Sequence, residues 1–258
     1  MLRNYNDVNE DVRNNYKQAR QYQTLEYVKY MRKKYNQFDK KIDILGSLVL
    51  LDNFVDLSDP DIDLPNLEHL YQSANSAMEA GEPDWMIATC LIHDLGKIIY
   101  LKGCDEDGTS MKVQYGIVGD TFIVGCKIPD KIILNEYNKF NPDMKDDRYN
   151  TKYGIYKKNC GLNNCYISYG HDEYLYELLK YNQTKLPEEA LYIIRFHSLY
   201  LHHKENSYKH LIDDKDKQML PILQRFNKYD LYSKNNKNIE LNIKNKILYK
   251  IQPYFNTI

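Results

Sequence analysis

At 258 residues and a net charge of −1, with acids and lysines interleaved, the chain has room for one large domain or two small ones. It carries no one-signed patch of the kind nucleic acid or an anionic membrane would need. Its five cysteines, Cys90, Cys104, Cys126, Cys160 and Cys165, are odd in number and lack CxxC spacing, so they fit reduced thiols better than a disulfide frame or a zinc knuckle. Any metal is left to nitrogen and oxygen ligands. The opening MLRNYNDVNEDVRNN lacks the apolar core of a secretion signal, no apolar run approaches the length of a bilayer, and no Pro/Gly/Ser-rich linker divides the chain. The expectation is a single domain over 1–258, cytoplasmic, with a small-molecule partner and neither nucleic acid nor membrane.

Helical periodicity dominates. QTLEYVKYMRKKYNQF, residues 23–38, alternates apolar and basic faces, and KIDILGSLVLLDNFVD, residues 41–56, reads as a more buried segment ending at the acidic loop DLSDPDIDLPN. Pro65 and Asn66 start the next helix, with Asn66 as its N-cap and Leu67, Leu70, Tyr71, Ala74 and Met78 as its stripe, until Gly81 stops it; His69 lies at the stripe's edge. From Trp85 to Leu101 apolar residues fall all round the helical wheel, which marks a buried helix. After a polar loop, GIVGDTFIVGC suggests turns and a short strand. Three helices follow: YGHDEYLYELLKYN, LPEEALYIIRFHSLYLHH with Pro187 in its first turn, and DKQMLPILQRFNKYDLYSKN, which Pro221 either begins or kinks. The fold class is all-α, a helical bundle with short irregular or β-hairpin segments.

Within the buried stretch, LIHDLGKIIYL places His93, Asp94 and Lys97 on neighbouring parts of one helical face. Isolated charges are too costly to bury, so this is a metal site or an Asp94–Lys97 ion pair with a core histidine beside it. Of seven histidines, His69, His93, His171 and His197 each fall in or at the start of a different helix among apolar neighbours, whereas His202, His203 and His210 lie in a polar stretch. Four helices could therefore converge on a metal, and helical bundles build such sites from inward imidazoles and carboxylates. The candidate carboxylates are Asp94, Asp172 and Asp230. Adjacent residues on a helix point about 100° apart, so His93 and Asp94 reach one metal only under restrictive geometry. Asp172, followed by Glu173, also suits the acidic first turn of a helix.

An HD dipeptide in a buried helix, with an upstream histidine and a late aspartate, resembles the HD-domain superfamily. The strings DNFVDLSDPDIDLPN, LIHDLGK, GDTFIVGC, YGHDEYLYELLKYN, EEALYIIRFHSLY and FNKYDLYSK, in this order from about Leu2 to Tyr254, resemble the inositol oxygenases. The resemblance implies an HD-domain-like bundle with two iron ions, mixed-valent ferrous/ferric in the active form, that cleaves myo-inositol with dioxygen to D-glucuronate in inositol catabolism. It implies metal ligands at His69, His93, Asp94 and Asp230 for one iron, and at His171 and His197 for the other, with Asp94 bridging; Asp172 returns to the role of a helix-start acid. Asp94 would then be neutralised by two cations rather than by Lys97. It also implies substrate contacts at Lys97, Gly119 and Asp120, at Ser198 beside His197, at Lys234, at Asp56 and Ser58, and at Arg3, which helps close the site. Lys97 joins Asp94 as a catalytic residue, its pKa expected to fall through burial and the nearby cations so that it can exchange a proton. By analogy the chain is a monomer. Departures from the family pattern are Leu57, where DLS replaces DES, a longer loop between Lys97 and Gly119, LHHK after RFHSLY, and a short segment before LRNY. The alternative reading is an HD-type phosphohydrolase of nucleotides or phosphate esters using His69, His93, Asp94 and Asp230, against which stand the second histidine pair and the lack of an arginine cluster.

Overall fold

The computed structural model describes residues 5, 8–58, 66–232 and 238–255. Among them the secondary structure is helical: α1 (Glu10–Tyr22), α2 (Leu25–Tyr35), α3 (Asn66–Glu79), α4 (Asp84–Ile92), α5 (His171–Tyr181), α6 (Glu188–Phe196), α7 (Tyr200–His203), α8 (Asp214–Tyr232) and α9 (Leu241–Phe255), with short 3-10 segments between. Local chemistry sets several of the starts. The Asn9 side chain accepts from the Val12 amide ahead of α1, and the Thr24 hydroxyl accepts from the Tyr27 amide ahead of α2, each satisfying a donor the helix leaves orphaned.

α4 is buried along its whole apolar circumference, with Met86 through Ile92 all inside. It packs on α3, α6, α8 and α9; α5 packs on α6 and on the 3-10 helix Leu95–Leu101, and α6 on α8. Helices distant in sequence therefore meet around the end of α4. No helix among the described residues is long and apolar enough to cross a membrane.

Several elements differ from the sequence expectation. The apolar run from Trp85 to Leu101 is two helices, since α4 ends at Ile92 and a 3-10 helix resumes at Leu95. Residues 41–56 form only the 3-10 turn Gly46–Leu51; Leu48, Leu51 and Phe54 are buried, but Val49 and Val55 are 63% and 62% exposed. The segment GIVGDTFIVGC supplies no strand: one antiparallel bridge joins Ile123 to Ile167, so the β-branched residues serve a pair of crossing loops. The long helix expected over 186–203 breaks at His197–Leu199 into α6 and α7. Pro221 lies inside α8 and does not begin it; the missing N–H falls where Lys217 would otherwise have its intrahelical donor. α1 and α9 escape the periodicity because asparagines dilute the stripe of the first and Pro253 interrupts the second.

Candidate metal centre

His93 and His197 are placed by the same device. Each is the residue that closes its helix, its amide donating to Thr89 and to Ile193 respectively, and each ring turns back so that Nδ1 lies 2.9 Å from a carbonyl three residues earlier, Cys90 or Ile194. Immediately after His93 the chain leaves the α-helix: Asp94 has φ −91° and ψ −2°, and the 3-10 helix starts at Leu95. The break relaxes the angular restriction on an adjacent His–Asp pair. It also stacks residues three apart, which sets the Lys97 ammonium 2.9 Å from Asp94 Oδ2. His171 opens α5, its Nδ1 2.7 Å from the Ile117 carbonyl, and that carbonyl also accepts the His171 amide. Its backbone presses on Gly96, where a Cβ would lie 2.0 Å from the His171 carbonyl oxygen. α3 brings in His69 and α8 brings in Asp230.

Two clusters result, sharing one carboxylate. Asp230 Oδ1 is 3.0 Å from His69 Nε2 and 3.3 Å from His93 Nε2, while Asp94 Oδ2 is 3.7 Å from His93 Nε2. On the other side, Asp94 Oδ1 is 3.1 Å from His171 Nε2 and 3.8 Å from His197 Nε2. The two oxygens of Asp94 thus face different histidine groups, and among the described residues the overlapping sets His69/His93/Asp230, His93/Asp94/His197 and His171/Asp172/His197 could each hold a metal ion.

The donor chemistry fits metal cations. A carbonyl can only accept, so His93, His171 and His197 each commit the Nδ1 proton to backbone, which leaves Nε2 with a lone pair. Yet His171 Nε2 and His197 Nε2 stand 3.1 Å apart, two acceptors facing each other with Asp94 alongside. A second proton on one of the rings, or a metal cation held by both, reconciles that arrangement. The electrostatics agree: burial alone would lower His197, but Asp172, Asp94 and Asp230 outweigh it and raise the imidazole to about 9, so the field there favours a proton or a metal ion at Nε2. Burial would raise Asp94, but Lys97 and the facing rings of His93, His171 and His197 hold it well below the usual carboxylate range. Asp230 is held low in the same way, with the facing rings of His69 and His93 overcoming burial.

The family model for myo-inositol oxygenase matches residues 9–258. The chain belongs to the inositol oxygenase family. It is 42% identical to inositol oxygenase 1 of Arabidopsis thaliana over 90% of this chain and 72% of the relative. It is also 43% identical to inositol oxygenase of Mus musculus over 85% and 75%, and 38% identical to that of Dictyostelium discoideum over 100% and 86%. These names give the phosphohydrolase alternative no support.

In this inositol oxygenase relative, the residues expected to face substrate are dispersed. Lys97 reaches beyond Asp94 to Asp56 Oδ2 at 2.7 Å, and Ser58 donates its amide and hydroxyl to Asp56 Oδ1. Burial lowers the pKa of Lys97, as expected, but Asp56 and Asp94 outweigh burial and raise it. Asp94 accordingly has Lys97 as a direct partner. Asp120 Oδ1 accepts from the Tyr16 hydroxyl at 3.1 Å, and Gly119 adopts φ +109° with the Tyr16 ring close above it. Ser198 donates to Asp172 Oδ1 at 3.2 Å. Arg3 and Lys234 lie outside the described residues.

Asp172 lies in the first turn of α5, as expected, and is buried there, 2% exposed, with Oδ1 3.0 Å from His171 Nε2. Two residues go unnoticed or misread in the sequence. Asn66 is the first residue of α3 rather than its cap, and its amide, in the orientation that satisfies both neighbours, donates to Asp94 Oδ2 at 3.0 Å and accepts from Lys97 at 3.1 Å. Tyr16 has no motif around it. An HD pair three residues before a buried lysine signals a second acid and an amide nearby, but does not say where in the chain they are.

Proposed function

We propose that this chain is a di-iron oxygenase that opens the myo-inositol ring with dioxygen and yields D-glucuronate, a reaction of inositol catabolism. The observation that carries the reading is the pair of imidazole nitrogens of His171 and His197, 3.1 Å apart beside Asp94 with both Nδ1 protons already committed. His69, His93, Asp94 and Asp230 would hold one iron and His171 and His197 the other, with Asp94 shared between them. Two iron ions, one ferrous and one ferric, would supply Lewis acidity toward a vicinal diol and the redox chemistry that dioxygen requires.

The protein's own groups then fix a neutral polyol, which only hydrogen bonds can orient. Ser198 gives its single proton to Asp172 and so meets the substrate as an acceptor. Asp120, steadied by Tyr16, accepts from another hydroxyl. Lys97, kept cationic by Asp56 and Asp94, places a fixed positive charge where an alkoxide develops. Ser58 locks Asp56 in that pairing. Gly119 brings backbone close to the polyol, with His197 beside Ser198; the roles expected of Arg3 in closing the site and of Lys234 as a substrate contact fall on residues outside the described ones. The chain acts as a single cytosolic domain and as a monomer.

The test is dioxygen uptake by the purified, iron-loaded, partly reduced protein on adding myo-inositol, with glucuronate assayed in the same vessel. One dioxygen consumed per glucuronate formed supports the reading. No uptake despite two irons per chain overturns it, and a phosphate-ester panel then tests the hydrolase alternative.

A further inference from the structure

We propose that Cys160 and Cys165 form a dithiol that closes to a reversible disulfide under peroxide, an oxidative modification site separate from the metal centre. The two sulfurs lie 3.7 Å apart. The loop between them brings its own ends together: Gly161 takes the left-handed conformation at φ +85°, residues Leu162–Asn164 make one 3-10 turn, and the Cys165 amide donates to Leu162 while the Asn164 side chain donates to the Cys160 carbonyl. Neighbouring chain holds the loop from outside. Asn159 and Gly161 donate their amides to His210 and Leu211, and the Leu162 amide donates to Asp216 Oδ2 at 2.9 Å. Closing the sulfurs from contact distance to a bond of about 2.0 Å therefore asks for side-chain rotation rather than a new backbone path.

The two thiols are unequal, as a sensing pair requires. Cys160 is half-buried and open to a small oxidant, whereas Cys165 is buried, its thiol pushed up by burial and by Cys160. The Cys160 thiolate attacks one oxygen of hydrogen peroxide, the O–O bond breaks, and hydroxide leaves a sulfenic acid. The Cys165 sulfur then attacks the Cys160 sulfur, the S–O bond breaks, and the thiol proton leaves with the oxygen as water. Overall, two thiols are oxidised to one disulfide and one peroxide is reduced to two waters. Cys126 is the competing thiol, buried and pushed up to about 12 by burial and by Cys160. The loop also holds Asn163, which accepts from Arg195 at 3.0 Å two residues ahead of His197, so the cross-link would staple a segment that braces α6.

The experiment treats the full iron-loaded chain with stoichiometric hydrogen peroxide, quenches with catalase, and reads intact mass, denatured thiol count and a peptide map. It does not depend on whether the chain oxidises inositol. The expected result is a loss of about 2 Da, a fall from five titratable thiols to three (5 − 2), a peptide linked between Cys160 and Cys165, and full recovery with dithiothreitol. Cys126→Ser should form the same link, and Cys165→Ser should leave Cys160 as a sulfenic acid that dimedone traps. Five thiols surviving, a gain of oxygen on Cys160 without a cross-link, or a link from Cys160 to Cys126 would each overturn the proposal.

Discussion

Gly96→Ala is expected to pull the two halves of the centre apart. A methyl group at Gly96 would lie 2.0 Å from the His171 carbonyl oxygen and 2.8 Å from its carbonyl carbon, with Leu175 Cβ at 3.0 Å. Such contacts are not tolerated below 3.0 Å and the obstacle is backbone, so the first turn of α5 must retreat by about 1 Å (3.0 − 2.0) from the turn that carries Asp94. Asp94 Oδ1 and His171 Nε2 stand 3.1 Å apart, placed to share a metal whose ligand distances tolerate only about 0.2 Å. The retreat is about five times that tolerance. Overpacking of this kind costs about 1–3 kcal/mol, which lowers Tm by roughly 2–12 °C in a domain near this size. Iron per chain by plasma mass spectrometry and Tm by circular dichroism read both effects: iron should fall from two per chain toward one, with the His171/His197 side emptied first. A Gly96→Ala protein that keeps two irons per chain and an unshifted Tm would refute the argument that this glycine sets the distance between the two ligand groups.

Asp94→Ala should lose both irons, whereas Lys97→Met should retain them and lose turnover by about 10²–10³, as removal of a fixed charge from a developing oxyanion does; equal iron content in wild type and Asp94→Ala would contradict the bridging role. Tyr16→Phe removes the donor to Asp120 Oδ1, worth about 1 kcal/mol, and should raise KM for inositol roughly fivefold with iron content unchanged, a split that steady-state kinetics would show or deny. Burial pushes His202 down to about 4, so the folded chain refuses a proton that the unfolded chain accepts near pH 6.5. Stability from neutral His202 is complete above that pH and is lost as pH falls toward 4, by about 1.4 kcal/mol per unit. Between pH 7 and pH 5, urea unfolding should cost wild type about 2 kcal/mol more than His202→Gln; equal losses would rule the assignment out.

The sequence made the histidines legible because an imidazole in an apolar helix stands out: His69, His93, His171 and His197 occupy four helices or their ends, and the structure brings all four together. The character of Lys97 was not legible. Its partner Asp56 lies 41 residues upstream, and nothing in LIHDLGK announces that two carboxylates would outweigh burial. The switch from α-helix to 3-10 at Asp94 was invisible to periodicity, since the apolar pattern continues unbroken through Leu101 while the backbone changes winding. Asp172 occupies the acidic first turn of α5 as its sequence position suggests, but its burial was not legible, since the acidic start of a helix is usually solvated. The β-branched run around Ile123 promised a strand and gave a single bridge, pairing being a property of two segments and not of one.

The way His93 and His197 are aimed bears on how such a centre could be transplanted. Each ring is oriented by a carbonyl of its own last helical turn, so CLIH and IRFH are self-contained ligand cassettes that a designer could attach to the end of any suitably placed helix. His171 is different in kind, since its orientation comes from Ile117, 54 residues earlier in a loop. A graft could carry two of the three ligands as helix tips, but the third would need the 117 loop carried with it.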